Sequence, residues 1–266
     1  MSLLAASIEG IGVLGPGLPD WPVTARVLTG AAPWEPAPTA PPAPVCLPSA
    51  ERRRTGTVVR LTLAVGLEAL GRAGVDPTRL ATVFTSSGGD GENCHEMCEA
   101  LATPERQLSP TRFHNSVHNA PAGYWGIATG ATAAANSLCA HDASFGAGLL
   151  EALCQVAVEH IPVLLIAYDA SYPEPMRSVR PIPDAFGVAM LLAPGPTAVS
   201  MARLELAWSE ASPDRMADEA LETLRASIPA ARSLPLLAQV ARGVPGRVLI
   251  DYLDGAGIAL EVSACR

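Results

Sequence analysis

NSLCAHDASFGAGLLEA, residues 136–152, passes from a short strand-like run through a tight polar turn into small and apolar residues at helical spacing. A group held between a strand and the start of a helix lies in the partial positive charge of the helix N-terminus. That field favours a thiolate or any other anion. Two side chains qualify by chemistry, Cys139 and Asp142. Asp142 is expected to cap the helix by accepting amide hydrogen bonds near Phe145 and to stay ionised.

Outward from this turn, strands and helices alternate. SIEGIGVLGPG reads as a first strand ended by Gly15, Pro16 and Gly17, and a long loop follows it. Residues 31–48 hold seven prolines, which favour extended backbone and exclude helix or interior strand, so this segment is a surface excursion within one fold. From Glu51, Val59, Leu63, Leu67 and Leu70 recur at three- and four-residue steps up to Gly74, a helix with a glycine stop. ATVFTSS is a short buried strand, and GGDG turns into a helix over ENCHEMCEALAT. LSPTRFHNSVHNAPAGYWGIATG is a loop feeding a helix near Asn119, which can cap it, with Pro121 in its first turn. ATAAANSLCA is a weak strand, ASFGAGLLEALCQVAVEH an apolar helix, and IPVLLIAYDA and AFGVAMLLAP are buried strands. Alternation with continuously apolar strands predicts an α/β fold whose mostly parallel mixed sheet is covered by helices on both faces. Residues 1–200 form this domain. Residues 201–266 are a short α/β extension packed on it: a strand at ARLELAW, helices near DRMADEALETLRAS and LPLLAQVA, and a closing hairpin with Asp254–Gly255 at its turn.

Composition removes several function classes. The formal charge is −8, and all eighteen basic residues are arginine, which argues against a nucleic-acid footprint and excludes lysine-dependent chemistry. MSLLAASIEG has no basic leader and no apolar run is long enough to cross a bilayer, so a cytoplasmic protein without membrane insertion is expected. Six cysteines (46, 94, 98, 139, 154 and 265) are too sparse for a disulfide scaffold, so reduced, mostly buried thiols are expected.

Other constellations are weaker. Cys94 and Cys98, with His95 between them, share one helical face and offer two soft ligands, but no second pair stands at a partner spacing. His114 and His118 have the same spacing without the glutamate of HExxH, so zinc is not assigned. SSGGDGEN after a strand offers amides to a phosphate, yet it is neither a Walker loop nor a complete GxGxxG, and a plain glycine turn is expected. No cofactor is implied.

The segment 136–152 resembles the β-ketoacyl synthase branch of the thiolase-like superfamily, and the likeness runs over about residues 1–200. It is carried in order by SIEGIGVLGPG, ERRRTGTVVRLTLAVGLEAL, LSPTRFHNSVHNAPAGYWGIATG and PVLLIAYDA. The resemblance implies a thiolase-like half-fold. It also implies where a nucleophilic cysteine belongs: counting back from VLLIAYD and from Ala152 puts Asp142 in that seat, and Cys139 falls three residues early. Ketosynthases take two further histidines from a second half-fold, whereas this chain has no histidine after His160.

What this combination resembles is the short chain-length-factor-like proteins of aryl polyene and xanthomonadin-type synthesis. The implied role is a non-catalytic subunit that pairs with a full-length β-ketoacyl synthase as a heterodimer in a type II polyketide or fatty-acid-like pathway, meeting acyl carrier protein through that complex. Phe113, His114, Val117, Tyr124 and Trp125, before the turn, are the residues expected to shape the acyl channel, or else to fill the core or anchor the dimer. Two alternatives stand beside this reading. One is a small acyltransferase or thioesterase using Cys139 with His141, His114 or His118. The other is a purely structural partner of a ketosynthase.

Overall fold

The computed structural model describes residues 4–265. Its eight strands form one sheet: β1 (Leu4–Leu14), β2 (Ala81–Thr85), β3 (Ala135–Leu138), β4 (Val163–Asp169), β5 (Phe186–Ala193), β6 (Ala202–Ser209), β7 (Gly246–Leu253) and β8 (Ala256–Ala264). The spatial order is β3-β2-β4-β5-β1-β6-β8-β7. The described α-helices are α1 (Trp21–Leu28), α2 (Ser49–Arg52), α3 (Thr57–Ala73), α4 (Gly91–Ala102), α5 (Pro110–Asn115), α6 (Ala120–Thr129), α7 (Ser144–Glu159), α8 (Met176–Val179), α9 (Glu219–Ser227) and α10 (Leu234–Arg242).

The pleat of β4 shows why both faces need cover. Leu164, Ile166 and Tyr168 face a cluster built with α3 and α6, while Val163, Leu165 and Ala167 face a larger cluster built with α7, α1, α9 and α10. On the second face, Phe145, Leu149, Leu153 and Val156 of α7 are fully buried, each worth roughly 1.5–3 kcal/mol of transfer free energy. On the first, α3 lies directly on β1 because Gly10 and Gly12 have no Cβ; one added there would run into the carbonyl oxygens of Ala69 and Val65.

The sheet is mixed, but parallel pairing is confined to β3–β2 and β2–β4; every other pair is antiparallel. The expected parallel majority is thus corrected. β5 returns beside β4 through residues 170–185 without a crossover helix long enough to reverse it, and the tail closes by a hairpin whose Gly255 takes φ 75°. The tail continues the same sheet, since β6 pairs with β1.

Three further expectations change. The loop after β1 contains α1, capped by the Asp20 carboxylate on the Val23 amide, with Trp21, Val27 and Leu28 buried. The helix expected from Glu51 is interrupted: α3 starts only at Thr57, with extended Gly56 as its N-cap, and it ends at left-handed Gly74 as the sequence indicated. Asn119 precedes α6, but its side chain makes no capping bond. Residues 33–44 of the proline-rich excursion have no regular structure, and the run is tied to the domain through Thr39, whose hydroxyl donates to the Ala185 carbonyl at 2.7 Å and whose amide donates to the Asp184 carboxylate at 3.0 Å.

Candidate functional site

The turn between β3 and α7 is built from its own backbone. After Leu138 the chain runs through Cys139 and Ala140 into a single 3-10 turn, His141–Ala143, and Ser144 opens α7. His141 takes φ 51°, the left-handed region, which a histidine reaches at some cost in strain. The Ser144 hydroxyl closes the turn by donating to the His141 carbonyl (2.7 Å) and accepting from the Ala140 amide (3.0 Å). The Thr85 hydroxyl of β2 donates to the Ser144 carbonyl at 2.8 Å and fixes the turn against the sheet.

Asp142 does not cap α7, and that expectation is corrected. The extra 3-10 turn carries its side chain away from the helix amides, and no side-chain bond caps the helix. Its carboxylate instead receives two guanidiniums, Arg180 at 2.6 Å on Oδ1 and Arg232 at 3.0 Å on Oδ2. Burial pushes this carboxyl up, but the Arg180 hydrogen bond and the charges of Arg232, Arg180 and His141 outweigh it and hold it below the usual range. Arg232 also reaches Asp251 of β7 at 3.1 Å; Asp251 takes Arg225 at 3.0 Å; and Arg225 grips Glu222 with two bonds of 2.8 and 2.9 Å. The turn, the 170–185 segment, α9 and β7 are thereby laced together by alternating charges. Close approach supports the lacing, for a Cβ on Gly146 in α7 would strike the Asp251 carbonyl oxygen.

A second carboxylate lies behind the turn. Asp169, at the end of β4, is fully buried and accepts from the Ser87 hydroxyl (2.6 Å), the Ser87 amide (2.9 Å) and the Ala230 amide (2.8 Å). Burial pushes it up to about 6, against the pull of the Ser87 and Ala230 bonds and the Arg180 charge. The glycine-rich turn spends its amides internally: Gly89 donates to the Ser86 hydroxyl at 2.9 Å, and Gly88 and Gly91 leave room for the Tyr172 ring.

The Cys139 thiol is exposed and donates to the Ser87 carbonyl at 3.2 Å; among the described residues no imidazole is hydrogen-bonded to it. His141 turns toward Asp142 (3.6 Å), His114 stands edge-on to Tyr124 with ring centroids 6.2 Å apart, and His118 packs over Gly89. An open cleft of about 590 Å³ in front of the turn is lined by His141, Asp142, Glu210, Arg232, Asp251 and Tyr252, among others. Among the described residues no group of three or more His, Cys, Asp or Glu side chains is placed to hold a metal ion. The thiols are all free, but the expectation that most are buried is corrected: Cys46, Cys94, Cys98 and Cys139 are exposed, because they sit on a loop, on the outer face of α4 and at the end of an edge strand.

The five expected channel residues separate into two groups. Phe113 and His114 on α5 and Val117 just after it are exposed, Phe113 by 65%. Tyr124 and Trp125 on α6 are buried: Trp125 lies against Phe84 and over Gly66, and the Tyr124 hydroxyl donates to Asn115 at 3.1 Å. Beside them β3 forms an edge of the sheet, with Ala135 and Asn136 exposed. Sequence reasoning missed Arg180, Arg232, Asp251 and Asp169, which are scattered over 83 residues and share no spacing that a motif could reveal.

Residues 29–242 match the family described as beta-ketoacyl synthase, N-terminal domain. Among curated proteins none matches this chain. Three solved structures share its fold over nearly the whole of both chains. A ketosynthase (ApeO) in complex with its chain length factor (ApeC) from Xenorhabdus doucetiae is 24% identical with TM-score 0.73, covering 97% of this chain and 99% of that one. The type II polyketide ketosynthase assembly AntDE:AntF is 10% identical with TM-score 0.76, covering 98% and 99%. The ishigamide ketosynthase/chain length factor is 14% identical with TM-score 0.70, covering 98% and 100%. The mixed eight-stranded sheet is accordingly the ketosynthase-like thiolase half-fold.

Proposed function

Because this chain belongs to the beta-ketoacyl synthase N-terminal domain family, we propose that it is the non-catalytic, chain-length-factor-like subunit of a ketosynthase pair in a type II polyketide or aryl polyene pathway. The observation that carries the reading is Asp142. In the seat where the resemblance puts an attacking thiol there is a carboxylate bound by two guanidiniums. A carboxylate so paired is a poor nucleophile, and among the described residues no base is hydrogen-bonded to Cys139, as thiol activation requires. Catalysis then falls to a full-length ketosynthase, with acyl carrier protein serving the pair through it.

The likeness to chains from ketosynthase and chain length factor assemblies supports the partner's identity. The open edge of β3 offers backbone groups to a second chain, Ile127 exposes apolar surface on the adjoining α6, and Phe113 on α5 and Val117 after it expose more. In this arrangement Phe113, His114 and Val117 form the wall that stops an elongating acyl chain, and Tyr124 and Trp125 support that wall from the core. Co-expression with a full-length ketosynthase tests the proposal. A stable one-to-one complex whose products lengthen with Phe113→Ala is expected. A complex whose yield changes but whose product length never does would reduce the chain to a structural partner.

A further inference from the structure

The outer face of α4 carries a pair of thiols that the proposed function does not use. Cys94 and Cys98 stand four residues apart on this helix, both exposed and both free. At that spacing their Cβ atoms are about 5–6 Å apart. Two sulfur bonds of about 2.3 Å each, at the roughly right-angled geometry of a pyramidal trivalent centre, bring sulfurs to about 3.3 Å apart, a separation that side chains on such Cβ atoms reach by rotation about χ1.

The helix holds the pair in place. Asp90 caps its first turn on the Asn93 amide at 3.0 Å, the Asn93 side chain donates to the Arg112 carbonyl of α5 at 2.9 Å, and Glu96 pairs with Arg112. These ties use residues 93 and 96, which leaves the face bearing 94 and 98 to solvent. His95, between the cysteines, is engaged with Glu99 at 3.3 Å, so the ligand set is two sulfurs. The remaining cysteines lie on separate elements: Cys46 on the proline-rich loop, Cys139 after β3, Cys154 in α7 and Cys265 after β8.

The geometry points to a dithiol site on α4 for a soft Lewis acid of the trivalent arsenical class, which takes two sulfurs and keeps its own organic substituent. An oxo-arsenical R–As=O condenses with two thiols: two S–H bonds break, two As–S bonds form, and the oxygen leaves with both protons as water. No oxidant is consumed. Although Cys94 is exposed, partial desolvation of its sulfur against the helix, then the adjacent Cys98 thiol and the Asp90 charge, push it above an ordinary thiol. Cys94 is therefore held as a thiol, the form that this condensation consumes.

The test is intact mass spectrometry of the full chain with one equivalent of phenylarsine oxide, followed by peptide mapping. Expected is one adduct with loss of one water, bridging Cys94 and Cys98 and removed by 2,3-dimercaptopropanol. Cys94→Ser and Cys98→Ser, both conservative on an exposed face, are each expected to weaken capture at least tenfold without moving the thermal midpoint. An adduct that survives in either variant, maps to Cys139, or never forms in the parent chain would overturn the site.

Discussion

Asp142→Ala removes the node at which the β3–α7 turn, the 170–185 segment and the C-terminal extension meet. Its carboxylate makes bonds of 2.6 Å to Arg180 and 3.0 Å to Arg232, and its side chain is 39% exposed. Charge-assisted hydrogen bonds contribute about 1.5–3 kcal/mol each when well desolvated, whereas exposed ion pairs contribute about 0–1 kcal/mol. Partial exposure puts each bond near 1 kcal/mol. Arg180, about three-quarters buried, then loses its carboxylate, while Arg232 keeps Asp251, which brings the total to about 2–3 kcal/mol. At roughly 2–4 °C per kcal/mol for a chain of this size, the thermal midpoint is expected to fall by about 5–10 °C. Scanning calorimetry reads that loss, and hydrogen exchange locates it: protection should drop around Arg180 and residues 229–233 and hold in β1 and β5. The difference between parent and variant should shrink in 1 M salt. A midpoint within 1 °C of the parent, or exchange that rises uniformly, would refute the reasoning.

Four further outcomes are expected. In a carbon-detected NMR titration Asp169 should show a midpoint near 6 and Asp142 one below the usual carboxylate value. The signs oppose. Asp142, depressed in the folded state, stabilises above its unfolded value and loses that contribution as pH falls through its folded one; Asp169, raised, costs about 3 kcal/mol above pH 6, relieved between 6 and about 4 as it takes up its proton. Gly146→Ala should destabilise by about 2 kcal/mol or more in thermal melts, because the new methyl meets the Asp251 backbone. Trp125→Ala should cost about 3–5 kcal/mol by chemical denaturation. Phe113→Ala should leave stability within about 0.5 kcal/mol, so that any change in product length can be assigned to the proposed wall.

The core of the fold was legible because its signals are periodic and local. The buried run of β4, the i, i+3, i+4 spacing of α3 with its Gly74 stop and the Asp254–Gly255 hairpin turn each carry their meaning within a few residues. Helix α1 was not legible: its eight residues include Pro22 and adjoin the proline-rich run, so composition argued for loop, while Trp21 and Val27 are drawn into the core by tertiary contact. Asp142 was singled out from the sequence, but its partners were not. Counting along a chain locates a seat; it does not find the arginines that close on it from 38 and 90 residues away. The N-cap expectation failed for a related reason, since nothing in HDASF announces the 3-10 turn that His141 introduces by crossing to positive φ.

If Asp142 has replaced the attacking thiol, only the partner subunit can accept the acyl group. The co-expressed pair, incubated with an acyl thioester and resolved by intact mass spectrometry, should carry the acyl group on the ketosynthase alone, with this chain unmodified at Cys139 and at residue 142. An acyl adduct on this chain, formed at a rate comparable with its partner's, would contradict the account.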